Sequence, residues 1–169
     1  RRETGGAREI VPFELTWLNA ALGEPVALAC VKAKLTDMSA DIDDVYHCLL
    51  RYPGGVLCNM SVDVIARPTA TRELRILGTH GQIVMSADEQ VVRYCSSSQP
   101  ETWTRYSLAP GTVEDGYINP EEPYIAEMAD YVAAVAARDA SLFPNSLQTD
   151  VRVLECLHAL EQLCPQDQP

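Results

Sequence analysis

Hydrophobic and polar positions along this chain change their spacing twice, and each change marks a new kind of element. Between residues 8 and 22 apolar side chains recur at near-helical intervals: Ile10, Phe13, Trp17, Leu18 and Ala21. Intervals of three and four residues place them on one side of a helix. Gly23 stops it, because glycine takes the backbone conformations that end helices, and Pro25 confirms the break. Pro12 is read as lying in the first turn, where its missing N–H costs little.

The interval then drops to two. Val26, Leu28 and Cys30 alternate with small Ala27 and Ala29, and this strand leaves the core at Lys32 and Lys34. Asp41-Ile42-Asp43-Asp44 reads as a solvated turn, and Val45 to Tyr52 as a second strand. Pro53-Gly54-Gly55 is a tight turn into a hairpin partner. There Val56, Cys58, Met60, Val62 and Val64 share an apolar face, while Leu57, Asn59, Ser61, Asp63 and Ile65 share a mixed one. That asymmetry suits a sheet covered by helices on one side. Residues 67–71 are a loop, 73–77 a strand, 78–81 a turn and 82–86 its partner. Residues 91–94 and 103–106 read as shorter, more exposed strands.

Helical spacing returns after a loop over residues 109–119. Asn119 can cap a helix, Pro120 suits its first position, and Glu121 and Glu122 favour the positive end of its dipole. An apolar stripe follows through Tyr124, Ile125, Met128, Tyr131, Val132 and Val135, with Tyr124 expected in the core. A last helix over residues 147–163 carries Val153, Leu157, Leu160 and Cys164 on one face, and 165–169 form a polar tail. Helix, mostly antiparallel strands, then two helices make an α+β fold: an open, mainly antiparallel β-sheet with helices packed on one face. The 169 residues are expected to form a single domain. The other face of such a sheet needs cover. A homo-oligomer, with an isologous dimer through that face, is the economical solution.

Composition narrows the classes. The net charge of -11 opposes binding to nucleic acid or to an anionic membrane, both of which call for Lys and Arg patches. No run approaches the roughly 18 to 20 apolar residues of a membrane span, and no apolar stretch follows Arg1-Arg2 as in a signal peptide. Six cysteines at 30, 48, 58, 95, 156 and 164 include no Cys-x-x-Cys pair. Most fall inside apolar patterns, where a thiol acts as a small hydrophobe, so reduced thiols and a cytoplasmic location are expected.

Local chemistry is sparse. His47, His80 and His158 have no metal-ligand spacing with each other or with the cysteines. Asp41, Asp43 and Asp44 lack the glycine and closing glutamate of a calcium loop. His47, mid-strand, is read as a structural or interface residue, and Asn59 and Asp63 as pairing across a dimer. Tyr117 and Tyr124 can close over a substrate. No Gly-x-Gly-x-x-Gly, Walker loop or Gly-x-Ser-x-Gly occurs, so the chain has no sequence-evident cofactor site of its own.

Several segments together carry a resemblance. They are Gly5-Gly6 before the first helix, Leu22-Gly23-Glu24-Pro25 after it, and Asp43-Asp44 before the second strand. Tyr52-Pro53-Gly54-Gly55-Val56, the run from Leu74 to Ile83 ("LRILGTHGQI") and the final helix pair complete the set. In this order they resemble the C-terminal domain of the Gfo/Idh/MocA-type NAD(P)-dependent oxidoreductases, whose fold is dihydrodipicolinate-reductase-like. In that family a nucleotide-binding domain comes first. The resemblance therefore implies that this chain is the substrate-side and oligomerisation half, with the nucleotide-binding domain absent and catalysis lost in isolation. It implies NAD or NADP in the parent enzyme, none bound by this chain alone, and a small-molecule substrate, a sugar or polyol derivative.

The first helix of that domain usually carries Asp and His four residues apart, facing the nicotinamide and acting with a Lys of the nucleotide-binding domain. The matching positions here are Glu9 and Phe13. Glu9 keeps a carboxylate, whereas Phe13 cannot move a proton. Either Glu14 substitutes as acid/base, or the parent's Lys acts alone, or the chain is a non-catalytic assembly or small-molecule-binding module descended from the family. The candidate catalytic residues are Glu9 and Glu14, and the candidate substrate-binding residues are Arg8, Phe13 and Arg67. Arg67 lies at a strand end where the family often places substrate contacts, and a guanidinium suits a carboxylate or phosphate. The alternatives are a solvated first turn for Arg8, Glu9 and Glu14, and an exposed loop cation for Arg67.

Overall fold

The computed structural model describes residues 4–108, 111 and 121–164. In chain order its elements are α1 (Ala7–Leu22), β1 (Ala27–Ala33), β2 (Val45–Arg51), a 3-10 turn at Pro53–Gly55, and β3 (Leu57–Asp63). Then come β4 (Glu73–Gly78), β5 (Gly81–Ser86), β6 (Val91–Ser96), β7 (Trp103–Ser107), α2 (Glu122–Ala137), a second 3-10 turn at Ala140–Leu142, and α3 (Leu147–Leu163). The α+β class and the antiparallel pairing expected from the alternation are both present, with the strands distributed over two sheets, β1-β2-β3 and β4-β5-β6-β7. The chain separates into two compact units, one running to Arg67 and resuming at Asn145, the other from Pro68 to Pro144.

In the first unit the alternation decides what is buried. Register aligns three inward rows across the sheet: Leu28–Leu50–Cys58, Cys30–Cys48–Met60 and Lys32–Tyr46–Val62. Ala7, Val11, Leu15 and Leu18 of α1 and Val153, Leu157 and Leu160 of α3 pack with these rows in one core cluster. Two of the rows are apolar. The third brings in Lys32 and a tyrosine, so that end of the core needs polar partners.

Those partners come from the segment expected to be a solvated turn, and here the expectation is corrected. Asp41 is exposed, but Asp43 and Asp44 are buried. Asp44 accepts from the amides of Leu35 and Thr36 at 2.7 and 2.9 Å and from the Thr36 hydroxyl at 2.7 Å. These bonds, the Leu35 amide foremost, hold its carboxyl below the ordinary carboxylate value. Asp43 takes the Lys32 ammonium at 2.8 Å through its side chain, while its carbonyl accepts the first amide of α1, that of Ala7. A polar run can be read as solvated because its sequence does not reveal how many donors the fold aims at it.

Two further corrections concern α1. Pro12 is its sixth residue and not part of the first turn, so it withholds one i→i−4 hydrogen bond from the helix interior. The helix starts after Gly6, at φ 77°, where an added Cβ would lie 2.7 Å from the Asp43 carbonyl oxygen. Only glycine fits that approach. The predicted stop holds: Gly23 has φ 84° and its amide bonds to the Asn19 carbonyl.

In the second unit β4 to β7 form a meander, with Thr79 and His80 turning β4 into β5. Leu74, Ile76, Ile83, Met85, Val92, Tyr94 and Tyr106 share one face by register, none of them buried. Val91 and Cys95, on the other face, are buried. The stripe of α2 exists as predicted, but it faces solvent. Tyr124, expected in the core, is 60% exposed, and Ile125, Met128, Tyr131, Val132 and Val135 are exposed as well. Tyr131 meets Phe143 edge-to-face at 6.1 Å. The helix begins after Glu121, with Pro123 in its first turn. The expected roles of Asn119, Pro120 and Tyr117 lie outside the described residues.

Asp44 supplies a pH test. Its folded carboxyl titrates below the unfolded value, so its stabilisation is complete above about pH 4 and is lost as pH falls through the lower folded value. Asp44→Asn is expected to lower the thermal midpoint at pH 7 and to flatten its decline below about pH 4. Midpoints measured by circular dichroism across that range check both.

Candidate functional site

The sides of α1 sort the candidate residues. At 100° per residue, Arg8 and Glu14 lie about 120° apart around the helix, flanking the buried line. That line is Ala7, Val11, Leu15 and Leu18. Glu9 and Phe13, four residues apart, share the opposite ridge. Glu9 is exposed and Phe13 is 73% exposed. The structure thus brings Glu9 and Phe13 together and puts Arg8 and Glu14 in separate surroundings.

Arg8 belongs to a clasp. Its Nε and terminal nitrogen meet the two carboxylate oxygens of Glu161 on α3 at 2.7 and 3.1 Å. Tyr46 of β2 donates its hydroxyl to the same carboxylate at 3.1 Å. The Lys32 ammonium sits 5.6 Å from the Tyr46 ring centroid while paired to Asp43. Burial, and then the Glu161 charge, push the Tyr46 phenol well above its ordinary value, which keeps it a donor. Both carboxylate oxygens of Glu161 are engaged, so the cluster ties α1, β2 and α3 together. Sequence reasoning missed Glu161, which lies 153 residues from Arg8. No local signal pointed to it, because Lys32, the inward charge on β1, takes Asp43 as its partner.

On the other flank, Glu14 accepts from the Trp17 indole Nε1 at 2.6 Å. Its charge also helps raise the Cys58 thiol, behind burial, which puts Glu14 on the β3 side of the helix. Arg67 is exposed on the bend beyond β3. The Val64 amide just before it donates to the Asp44 carbonyl, so β3 ends at the corner where the neighbouring Asp43 carbonyl starts α1. The exposed candidates Glu9 and Arg67 therefore emerge from the same end of the sheet. Asp63 has a local role: its Oδ1 caps the Ile65 and Ala66 amides at 3.0 and 2.9 Å. Asn59 and His47 lie on the outer sheet face, with His47 opposite Val31 and Ser61. His80 and His158 are exposed and apart from this corner in sequence and element. Among the described residues no group of three or more His, Cys, Asp or Glu side chains is arranged to hold a metal ion. Among them, too, no helix is long and apolar enough to cross a membrane.

All strand pairs among the described residues are antiparallel, so none forms the strand–glycine turn–helix cradle that receives a pyrophosphate. The amide of Ala7 at the start of α1 is already bonded, to Asp43.

The sequence profile described as the GFO/IDH/MocA C-terminal domain matches residues 2–84. No curated protein sequence matches the chain. Solved structures share the fold at low identity. An oxidoreductase from Agrobacterium radiobacter, in complex with NAD+, L-tartaric acid and magnesium, superposes with a TM-score of 0.75 at 15% identity over 93% of this chain and 46% of its own. A levoglucosan dehydrogenase in complex with NADH and L-sorbose gives 0.71 at 18% identity over 95% and 48%. The UDP-N-acetylglucosamine 3-dehydrogenase of Acidithiobacillus ferrooxidans gives 0.67 at 16% identity over 92% and 45%. This chain spans less than half the length of each of these proteins. The fold of the described chain is shared with these oxidoreductases, and residues 2–84, which carry α1 and the strands into β5, belong to the GFO/IDH/MocA C-terminal domain family.

Proposed function

We propose that this chain is the substrate-side domain of an NAD(P)-dependent oxidoreductase acting on a sugar or polyol derivative. The observation that carries the reading is the exposed Glu9–Phe13 ridge on a helix held at both flanks and at its first amide. A helix fixed in this way presents a carboxylate at a defined place, which proton transfer to a substrate hydroxyl requires. Sugar-related ligands and substrates of neighbours with the same fold, L-sorbose and UDP-N-acetylglucosamine, support the substrate class. Hydride chemistry belongs to the nicotinamide cofactor bound by the rest of the parent enzyme. This chain contributes a proton-handling carboxylate at Glu9, an apolar contact at Phe13 and an anion-seeking guanidinium at Arg67. Arg8 and Glu14, held by Glu161 and Trp17, serve to position the helix.

In the whole enzyme, Glu9→Gln is expected to lower kcat/KM by about 10²- to 10⁴-fold, while Glu14→Gln stays within a few-fold. Steady-state kinetics on a panel of sugars and polyols reads both. A Glu9→Gln enzyme as fast as its parent would remove Glu9 from this role. The isolated 169-residue chain is expected to oxidise no NAD(P)H with any of these substrates. Arg8→Ala is expected to cost about 1–3 kcal/mol in urea unfolding, through the charge and hydrogen bonds it strips from Glu161.

A second reading, a non-catalytic assembly module, is favoured by Phe13 standing where the family usually has histidine. Both readings include self-association through the outer face of the β1-β2-β3 sheet. There Leu49 is 59% exposed, between Ala29 and Asn59 in register, with Val31 and Leu57 also exposed. Small and apolar residues on a flat antiparallel face suit an isologous contact. Leu49→Arg is expected to convert a dimer to a folded monomer by light scattering, and an unchanged mass would reject this face.

A further inference from the structure

Three arginines stand in one line across the sheet of the second unit. Register sets Arg75 of β4 opposite Val84 of β5, Val84 opposite Arg93 of β6, and Arg93 opposite Arg105 of β7. Directly opposed residues of a ladder share a face, so all three side chains leave the same side of the sheet. Arg93 is fixed at its root between Val91 and Cys95, which are 0% and 5% exposed on that face. Arg75 and Arg105 are exposed.

Two of these arginines form a like-charge pair at the closest spacing a sheet offers. The Leu108 amide donates to the Gln90 carbonyl at 2.8 Å, which makes Gln90 and Leu108 a hydrogen-bonded pair. By antiparallel alternation, Arg93 and Arg105 are then a non-hydrogen-bonded pair, with Cα atoms about 4.5 Å apart. Like charges in direct opposition weaken strand pairing. The carboxylates nearby offset little of this. Glu89 reaches Arg93 at 3.5 Å and is itself half exposed, and Glu73 lies one row away, on the edge strand β4. Among the described residues Arg75 and Arg105 form no ion pair. In a chain with 24 acidic and 13 basic side chains, two arginines held this close are placed for an anion from outside.

Trp103 narrows the kind of anion. It stands opposite Cys95, two residues from Arg105 on β7 and therefore on the same face, and it is 44% exposed. Two residues along a strand are roughly 7 Å, a gap that a ribose bridges between its base and its phosphates. An open indole is a platform for a planar ring, and guanidinium groups take phosphate oxygens in pairs.

We propose that this face of β4–β7 binds a nucleoside diphosphate, with the base on Trp103, the phosphates between Arg93 and Arg105, and the terminal charge toward Arg75. Arg93 and Arg105 carry most of the affinity, because an anion between them turns a repulsion into two attractions. Arg75 stands two strands from Arg93, roughly 10 Å, and contributes less. All of these residues belong to the second unit, so the site draws on neither Glu9 nor Phe13.

The test titrates the whole chain with ADP and with inorganic pyrophosphate at constant ionic strength, by calorimetry and by tryptophan fluorescence. Trp17 and Trp103 are the two tryptophans. ADP is expected to quench the parent saturably and to leave the fluorescence of Trp103→Leu unchanged. That variant should bind ADP about tenfold more weakly, through the lost stacking, and pyrophosphate as the parent does. Arg93→Gln and Arg105→Gln should each weaken both probes about tenfold or more, and Arg75→Gln by a few-fold. Arg152→Gln, on α3, should change neither. Without ligand, Arg105→Gln should melt no lower than the parent, because it relieves a like-charge pair. Overturning results are no heat or quenching with either probe at millimolar concentration, pyrophosphate binding as tight as ADP, or equal weakening by Arg152→Gln and Arg105→Gln. A molecular mass that halves in Arg105→Gln would also overturn it, by giving the row to an acidic segment of a second copy.

Discussion

The structure of the first unit depends on two carboxylates taken out of water at one corner. Asp44 gathers two amides and a hydroxyl from the β1–β2 connection, so that segment holds one conformation without secondary structure of its own. Asp43 neutralises Lys32, the one charged group in the inward rows of the sheet. Its carbonyl also receives the first amide of α1, and the Asp44 carbonyl receives the Val64 amide beyond β3. Each bond is individually modest, but a buried carboxylate without such partners carries a desolvation cost larger than any of them. The corner is thus either complete or strongly unfavourable, and that sets where the helix begins.

From that starting point the helical repeat does the rest. Four buried residues fix how α1 rolls on the sheet, and the roll decides the environment of every other side chain on it. Arg8 turns toward α3 and the Glu161 carboxylate, Glu14 toward Trp17 and β3, and Glu9 and Phe13 outward. Four residues within two turns of one helix, all candidates for one site, are divided by geometry into two that brace the helix and two that it displays.

Strand positions and both hairpins were legible in the sequence, as were the stop at Gly23 and the full extent of α3. In each case local spacing and turn chemistry act over a few residues. The burial of Asp43 and Asp44 was not legible, because their partners are Leu35, Thr36 and Lys32, and nothing local distinguishes a capping aspartate from a solvated one. The α2 stripe shows the reverse case. Its periodicity was read correctly, yet amphipathicity says only that a helix has an apolar side, and Tyr124 and its neighbours on that side are exposed. For the candidate site, the ridge residues Glu9 and Phe13 were named from resemblance. Their separation from Arg8 and Glu14 follows only once the roll of α1 is known.

By itself, then, the sequence determined the kinds of the elements, most of their limits and the apolar inward positions of β1 and β3 short of Lys32, since all of these arise from neighbours within one turn or one hairpin. Only the tertiary structure decided which charges are paired. The Arg8–Glu161–Tyr46 clasp and the bond from the Lys32 amide to the Cys164 sulfur join positions more than a hundred residues apart. No local spacing encodes such contacts. They exist because a hydrophobic core, by fixing where α1 and α3 meet the sheet, brings distant polar groups within bonding distance and leaves them no water to prefer.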